Sequence, residues 1–329
     1  MKHINVSLFV PHLGCTNSCI FCNQKTISGK CEPLREEDII RAADIAKNGI
    51  YDKENSEIAF FGGSFTAIER EKMISFLEAA KPYIGTYFGG IRISTRPDCI
   101  DREVLEILKK YGVTAIELGA QSMCLDVLDA NERGHTPEDT YKAMELIKEY
   151  GFSSGLQMMT GLYGSTREKD IYTAEKFIEM HPDTVRIYPT VVLENTKLEQ
   201  LYKNGSYLPP SLEEAVSLSA ELLMMFHKSS IRVIRLGLHS GGNVEEGFVA
   251  GVYHPAFREL AEGEIYKSII EKILSPLPDG EYTLAVSPKE ISKASGHKRS
   301  NILYFGEKGK NIKITGDETL FQYDVIIIN

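Results

Sequence analysis

Apolar positions along the chain follow two periods that take turns. Short stretches with β-branched and aromatic residues at 5–10, 57–61, 91–94, 115–118, 155–159, 185–188 and 231–236 predict strands. Between them the apolar residues recur at helical spacing. Residues 36–47 put Ile39, Ile40, Ala43 and Ala46 on one face, and 101–111 do the same with Val104, Leu105 and Leu108. Residues 137–150 follow the helix-start signal T-P-E-D, and 167–180 and 211–227 predict two more helices. Strands alternating with helices predict parallel βα units, which wind into a doubly wound sheet or a barrel. Polar residues gather at the ends of successive strands, a barrel habit, so the expected fold is α/β: a partial TIM-like (β/α) barrel. No G-x-G-x-x-G or Walker loop follows a strand, which argues against a nucleotide-binding doubly wound sheet.

The pattern changes after about residue 251. A helix at 256–274 leads to the turn cluster S-P-L-P-D-G, and short apolar runs at 282–286, 301–305, 311–314 and 323–328 predict strands. The expected division is a barrel over 1–250 and a small C-terminal α+β appendage over 251–329.

Composition narrows the class. The 329 residues are 43% hydrophobic and 25% charged, as in an ordinary soluble domain with a sizeable core. A net charge of −9 argues against wholesale electrostatic binding of nucleic acid, though not against a local basic patch. Residues 287–314 depart from it with a local charge of +5, carried by Lys289, Lys293, Lys298, Arg299, Lys308, Lys310 and Lys313. That run reads as a solvated loop or as an RNA contact, with G-H-K-R-S-N at 296–301 a candidate phosphate-gripping turn. The N-terminal apolar run is too short for a signal sequence, and Pro11 and His12 interrupt it. No apolar run reaches the ~18 residues of a membrane span, so the expected location is the cytoplasm.

The chemistry is concentrated in C-T-N-S-C-I-F-C, which places Cys15, Cys19 and Cys22 on one loop after the first strand. Three thiolates at this spacing suit three irons of a 4Fe-4S cluster, leaving the fourth iron open to chelate S-adenosylmethionine (SAM). With Cys31 the same thiols could instead form a structural zinc site, although only one C-x2-C hook is present. Cys31, Cys99 and Cys124 otherwise read as ordinary thiols. The run resembles the radical SAM motif. F-F-G-G-S-F (60–65), S-T-R-P-D (94–98), E-L-G-A-Q-S (117–122), E-R-G-H-T (132–136), G-L-Q-M-M-T-G-L-Y-G (155–164), V-R-I-Y-P-T-V-V-L-E-N-T (185–196) and L-Y-K-N-G-S-Y (201–207) then follow in order. This succession, covering roughly residues 5–240, resembles the radical SAM domain of the Elongator catalytic subunit family, which modifies wobble uridine in tRNA. Within that family it is similar to a short bacterial branch that also carries H-P-A-F-R-E-L (254–260).

The resemblance implies a 4Fe-4S cluster and SAM as cofactors, and a reductant such as flavodoxin or ferredoxin as partner. It implies that Gly62, Gly63 and Ser64 meet the SAM amino group, that Gln121, Ser94 and Gln157 lie by the ribose, and that Arg133 meets the SAM carboxylate. Phe21 is implied beside the adenine, or it anchors the loop to the core. Gln121 alternatively satisfies loop backbone, and Arg133 with Glu132 alternatively forms a solvated helix-start pair. Two departures stand out: Ser94 replaces a Glu, and Tyr163 replaces the Pro of a G-L-P segment. The acetyltransferase domain of the full-length family has no counterpart in the short remainder of the chain. Tyr163, Arg186, Tyr188, Arg235, His239 and His254 are candidate substrate-wall residues, and Tyr163, Tyr188, Arg235 and His254 are the candidate catalytic ones. His254 reads as a proton donor or as a helix-start residue. Arg186 and Arg235 sit in strands and each require an anion, a carboxylate or solvent.

The expected function is radical SAM chemistry on a tRNA nucleoside, in the polymer or as a free modified nucleoside. Cleavage of a nucleoside such as queuosine to release its base is one alternative. A decarboxylase resembling coproporphyrinogen oxidase is another, and a zinc-stabilised binding module is the non-enzymatic one.

Overall fold

The computed structural model describes residues 4–10, 15, 19–23, 33–49, 52–238 and 245–328. Cys31 and His239 lie outside them. The strands are β1 (Ile4–Val10), β2 (Ser56–Gly62), β3 (Gly90–Thr95), β4 (Val113–Gln121), β5 (Ser153–Thr160), β6 (Thr184–Pro189), β7 (Val191–Leu193), β8 (Arg232–Leu236), β9 (Phe248–Gly251), β10 (Gly280–Val286), β11 (Lys310–Gly316) and β12 (Ile326–Ile327). The helices of five residues or more are α1 (Glu36–Ala46), α2 (Arg70–Ala80), α3 (Arg102–Lys110), α4 (Leu125–Ala130), α5 (Pro137–Glu149), α6 (Arg167–Glu179), α7 (Lys197–Lys203), α8 (Leu212–Lys228), α9 (Phe257–Leu274), α10 (Ile291–Ser295) and α11 (Ser300–Glu307).

Seven strands pair in parallel in the order β1-β2-β3-β4-β5-β6-β8. A sheet that grows in one direction through right-handed crossovers carries its helices on one face. It curls away from them into a half-barrel, open between β1 and β8. The period-2 pattern assigns the faces. Ile91, Ile93, Ile116, Leu118, Leu156, Met158, Val185 and Ile187 are buried in the main hydrophobic cluster with helix residues such as Leu105, Leu108, Ile147 and Phe177. Their neighbours Arg92, Ser94, Glu117, Gln157, Arg186 and Tyr188 line the concave face. The helices start where caps dictate. Asp101, Thr136, Thr166, Thr196 and Ser211 each accept a backbone N–H from the first turn of the helix that follows.

β7 and β9 form a separate antiparallel ribbon. β10 pairs in parallel with β11 and antiparallel with β12. The C-terminal elements share the barrel's hydrophobic cluster through Phe257, Tyr266, Ile270, Leu284, Phe305 and Tyr323. β8 is the last strand of the barrel sheet, and Arg258 of α9 donates through Nη1 to its Val233 carbonyl at 2.9 Å.

The C-terminal region corrects two expected strands. The run at 301–305 is helix α11, with Asn301 and Phe305 buried four residues apart and Leu303 63% exposed between them. Of 323–328 only Ile326–Ile327 is strand, because a turn in which Asp324 donates its N–H to the Phe321 carbonyl precedes it. The basic run is also partly neutralised: Lys293 pairs with Glu262 and Glu290, Lys308 with Glu271, and Lys310 with Asp279. Among the described residues, no helix is long and apolar enough to cross a membrane.

Candidate active site

The cysteine loop leaves the C-terminal end of β1 and is fastened at three points. Ile20 donates its N–H to the Asn131 carbonyl, Leu198 donates its N–H to the Ile20 carbonyl, and Asn23 Nδ2 reaches the Glu194 carbonyl at 2.9 Å. Asn131 itself holds the Tyr163 carbonyl through Nδ2 at 2.8 Å. Ile20 and Phe21 pack with Tyr163, Val192, Leu198 and Tyr207 in a second apolar cluster. The loop is thereby tied to α4, α7 and the β7–β9 ribbon, and Phe21 and Tyr163 share one wall.

The three thiols feel one another. Burial pushes the Cys22 thiol up to about 12, Cys19 and Cys15 add to the rise, and Arg133 opposes it. Among the described residues no three His, Cys, Asp or Glu side chains close into a coordination shell. Arg133 follows α4, is 7% exposed, and donates from Nη1 to Cys19 Sγ at 3.0 Å and from Nη2 to the Gly119 carbonyl at 2.6 Å. It is buried against the cysteine loop rather than solvated beside Glu132. Glu132 is exposed and pairs with Lys197.

At the end of β2 the Gly62 backbone has φ of 104°, a conformation that favours glycine. Gly63 donates its N–H to Val10 at 2.8 Å, which joins the turn to the root of the cysteine loop. The Ser64 hydroxyl lies 2.8 Å from Thr95 Oγ1 and accepts the Arg96 N–H at 3.0 Å, so it knits β2 to β3. Arg96 pairs with Asp98, and its guanidinium is raised by that bond, opposed by burial, and further raised by Cys99 and Cys15. It therefore faces the cysteine loop from β3.

Gln121 ends β4 with φ of 64°, after an irregular step in the β4–β5 register. Its Oε1 is buried and meets no protein donor among the described residues. A Cβ placed on Gly119 would lie 3.0 Å from Gln121 Nε2, 3.6 Å from Arg133 Nη2 and 3.7 Å from the Thr95 carbonyl. These groups border a small cradle at the strand ends. An orphaned acceptor, a guanidinium and three thiols fit the cluster and SAM: Cys15, Cys19 and Cys22 supply the ligand set, Gln121 an acceptor for a hydroxyl, and Arg133 a partner for a carboxylate.

Deeper on the concave face lies a buried charge network. Glu117, 1% exposed, accepts from Arg92 Nη1 at 3.2 Å, from Arg186 Nη2 at 2.8 Å and from Gln157 Nε2 at 3.0 Å, and lies 2.6 Å from Arg186 Nε. Arg92 also donates from Nε to Glu57 at 2.7 Å, and Gln157 reaches the Ser94 hydroxyl at 3.3 Å. Gly155 makes the space, because a Cβ there would press to 2.9 Å on Glu117 Cγ. Burial opposes the charge of Arg186, but Glu117 and Tyr188 outweigh it and hold the guanidinium above its usual range. Ser94 and Gln157 are thus brought together, and Arg186 has its carboxylate. Glu117, Arg92 and Asn131 were not singled out as partners by sequence. For Glu117 and Arg92 the signal is charge inside strands that the register alone joins, whereas Asn131 ends a helix and carries no such signal.

His254 stands apart from this assembly. Its Nδ1 accepts the Ala256 N–H at 3.1 Å and its ring packs edge-on against His297, which is the geometry of a helix-start residue.

The loop that carries Tyr163 is held by buried Asp170, which accepts from Gly161 N–H at 2.9 Å and Ser165 Oγ at 2.6 Å. Burial raises its carboxyl to about 6, with Ser165 and Gly161 opposing. The folded chain therefore holds this proton more firmly than the unfolded chain. Its contribution to stability falls as pH rises from about 4 to about 6, and stays low above that. Asp170→Asn keeps an acceptor for Gly161 and removes the ionisation. Denaturant midpoints at pH 4 and pH 7 should show the variant gaining about 2–3 kcal/mol on the wild type between those pH values. Parallel profiles would contradict the assignment.

The chain matches the Radical SAM superfamily over residues 9–177 and the Radical_SAM C-terminal domain over residues 182–267. It is 40% identical over 130 residues to a tRNA uridine(34) acetyltransferase of Methanocaldococcus jannaschii, covering 38% of this chain and 24% of that protein. The chain thus spans about a quarter of the length of that relative. An uncharacterised protein of the same organism is 30% identical over 67% of this chain and 70% of its own length. Among solved structures, the archaeal Methanocaldococcus infernus Elp3 superposes with a TM-score of 0.61 at 24% identity, covering 82% of this chain and 63% of that one.

Proposed function

Because this chain belongs to the radical SAM superfamily and is one of its enzymes, we propose that it acts on a nucleoside unit of tRNA. The cradle of Gln121, Arg133 and the cysteine loop is the observation that carries the catalytic half of this reading. The similarity to a tRNA uridine(34) acetyltransferase supports the substrate half. The family's cofactors are a 4Fe-4S cluster and SAM, which together supply a 5'-deoxyadenosyl radical.

In this proposal Cys15, Cys19 and Cys22 hold the cluster. Arg133 binds the SAM carboxylate while keeping its Nη1 bond to Cys19. Gln121 Oε1 accepts a ribose hydroxyl, and Ser94 and Gln157 stand below it as one hydrogen-bonded unit fixed by Glu117. The strand end at Gly62 and Gly63 lets an amino group approach the backbone closely, and Ser64 stiffens that turn. Phe21 and Tyr163, inside the cluster that includes Tyr207 and Val192, keep water from the C-terminal face. Tyr188 and Arg235 wall the substrate side. His254 sets the start of α9. The barrel over 1–250 carries the chemistry, and 251–329 closes its last strand.

The test is formation of 5'-deoxyadenosine by anaerobically reconstituted protein with SAM and a reductant such as flavodoxin or ferredoxin. Intact tRNA should stimulate it severalfold over protein alone. Stimulation only by a nucleoside digest would replace tRNA modification with cleavage of a free modified nucleoside such as queuosine. No stimulation by either would remove the nucleoside reading.

A further inference from the structure

We propose that Arg235 is the receptor for an oxyanion of the substrate, the phosphate of a nucleotide unit, at the C-terminal end of the last barrel strand. This inference rests on the nucleoside reading above and names the form in which the nucleoside arrives.

The argument starts from register. Val185 pairs with Val233, but Arg186 pairs with Arg235, so β8 carries one extra residue, Ile234. Such a bulge re-aims every side chain beyond it. Without it Arg186 would oppose Ile234, and Arg235 would turn toward the helices with Ile187. With it Arg235 stands beside Arg186 on the concave face, one residue from the C-terminal end of β8.

Charge accounting sets Arg235 apart from the other concave-face arginines. Arg92 is paired with Glu57 and Glu117, and Arg186 with Glu117. The half-buried Arg235 donates from Nε to the Gly237 carbonyl at 3.0 Å and has no carboxylate partner among the described residues. The groups that act on it are Tyr188 and the guanidinium groups of Arg186 and Arg258, whose own carboxylates, Glu117 and Glu262, leave none for Arg235 among the described residues. Burial lowers its guanidinium, Tyr188 opposes, and the two arginines add to the lowering. A half-buried planar fork at a strand end with no carboxylate of its own is a site that asks for an oxyanion, which it can meet bidentately.

The SAM carboxylate is not that anion. Arg133 and Gln121 stand at the end of β4, and Arg235 is on β8, three strands further along the sheet, about 14 Å at the usual interstrand spacing. One amino acid cannot span both. The anion therefore belongs to the second molecule in the site. Arg235 lies at the C-terminal end of β8, so a phosphate bound there faces the mouth of the half-barrel, where the strand-end site lies.

The test is calorimetric titration of the isolated protein with uridine, uridine 5'-monophosphate (UMP) and a uridine dinucleotide. Wild type should bind UMP on the order of tenfold more tightly than uridine. Arg235→Gln should remove that preference, so that the variant binds UMP no more tightly than it binds uridine, while the melting temperature holds. Dinucleotide affinity that also depends on Arg235 assigns the anion to a polymer backbone, and dependence for UMP alone assigns it to a free nucleotide. Equal preference in wild type and variant, or none in wild type, overturns the receptor. Should Arg235→Gln fail to fold, Arg235→Lys serves: a severalfold loss of preference is expected, and an unchanged one overturns. If no nucleoside or nucleotide binds, inorganic phosphate is titrated alone. Arg235-dependent phosphate binding then keeps the receptor and discards the nucleoside reading, whereas phosphate binding unaffected by Arg235→Gln discards the receptor.

Discussion

Cys19→Ala is expected to leave a folded protein that assembles no 4Fe-4S cluster and forms no 5'-deoxyadenosine. The loop is anchored through Ile20, Asn23 and the apolar cluster around Phe21, none of which needs the Cys19 sulfur, so the fold should persist. The chemistry should not. Two thiolates hold two irons, and the remaining iron–sulfur core loses the third tether that keeps it on the protein. Arg133 would lose its sulfur acceptor and keep its bond to Gly119, so the carboxylate partner would remain while the cluster is gone. Iron and sulfide analysis after anaerobic reconstitution checks the first part, and deoxyadenosine assay the second. Activity should fall by at least about 10³-fold, or roughly 4 kcal/mol of barrier. Cys124→Ala is the control, because that thiol sits against Lys169 on α6 and should cost nothing in iron or turnover. A Cys19→Ala protein that still carries about four irons and cleaves SAM would sink the ligand assignment.

Glu117→Leu should be the most destabilising single change on the concave face. The carboxylate is 1% exposed and answers two arginines and one amide from three different strands. Leucine fills the volume and strands Arg186 with Tyr188 as its remaining polar neighbour, while Arg92 retains Glu57. Breaking one partner out of a buried ion network costs about 3–5 kcal/mol, because the charge left behind has lost both water and counter-charge. The melting temperature should drop by something on the order of 10 °C. Glu117→Gln keeps the shape and one acceptor, so its loss should be smaller. A Glu117→Leu protein within about 1 kcal/mol of the wild type would show that water, not the carboxylate, compensates the arginines.

The barrel was legible because its strands are amphipathic in a particular sense. Residues such as Ile91, Ile93, Leu156 and Val185 face helices, and the alternate positions face a polar hollow. Period 2 therefore survives even in parallel strands, which are usually apolar on both sides. The candidate site's local pieces are legible in the sequence: the cysteine spacing, the glycines at the end of β2, and the strand-end Gln121. It was opaque where it is assembled by register. Arg186 announced a need for an anion, but Glu117 lies 69 residues away and only the pairing of β4, β5 and β6 brings them together. The bulge at Ile234 leaves no mark in composition. Helix α11 looks like a strand in sequence because Ile302, Tyr304 and Phe305 have strand-like residue types, and burial of Asn301 and Phe305 on one helical face decides for a helix. The β7–β9 ribbon escaped because its two strands are too short, and too far apart in sequence, for a hairpin signal.

The bond from Arg258 to the Val233 carbonyl has a consequence for the life of the chain before it is finished. β8 emerges from a ribosome some twenty residues ahead of the side chain that covers its rim. During that interval the nascent sheet offers unpaired backbone groups to any neighbouring strand, as exposed edges do. Safe synthesis of this protein then depends on how quickly α9 forms and docks. Rare codons or pauses placed just after residue 236 would be expected to lower the soluble yield, whereas the same pauses after residue 274 would not.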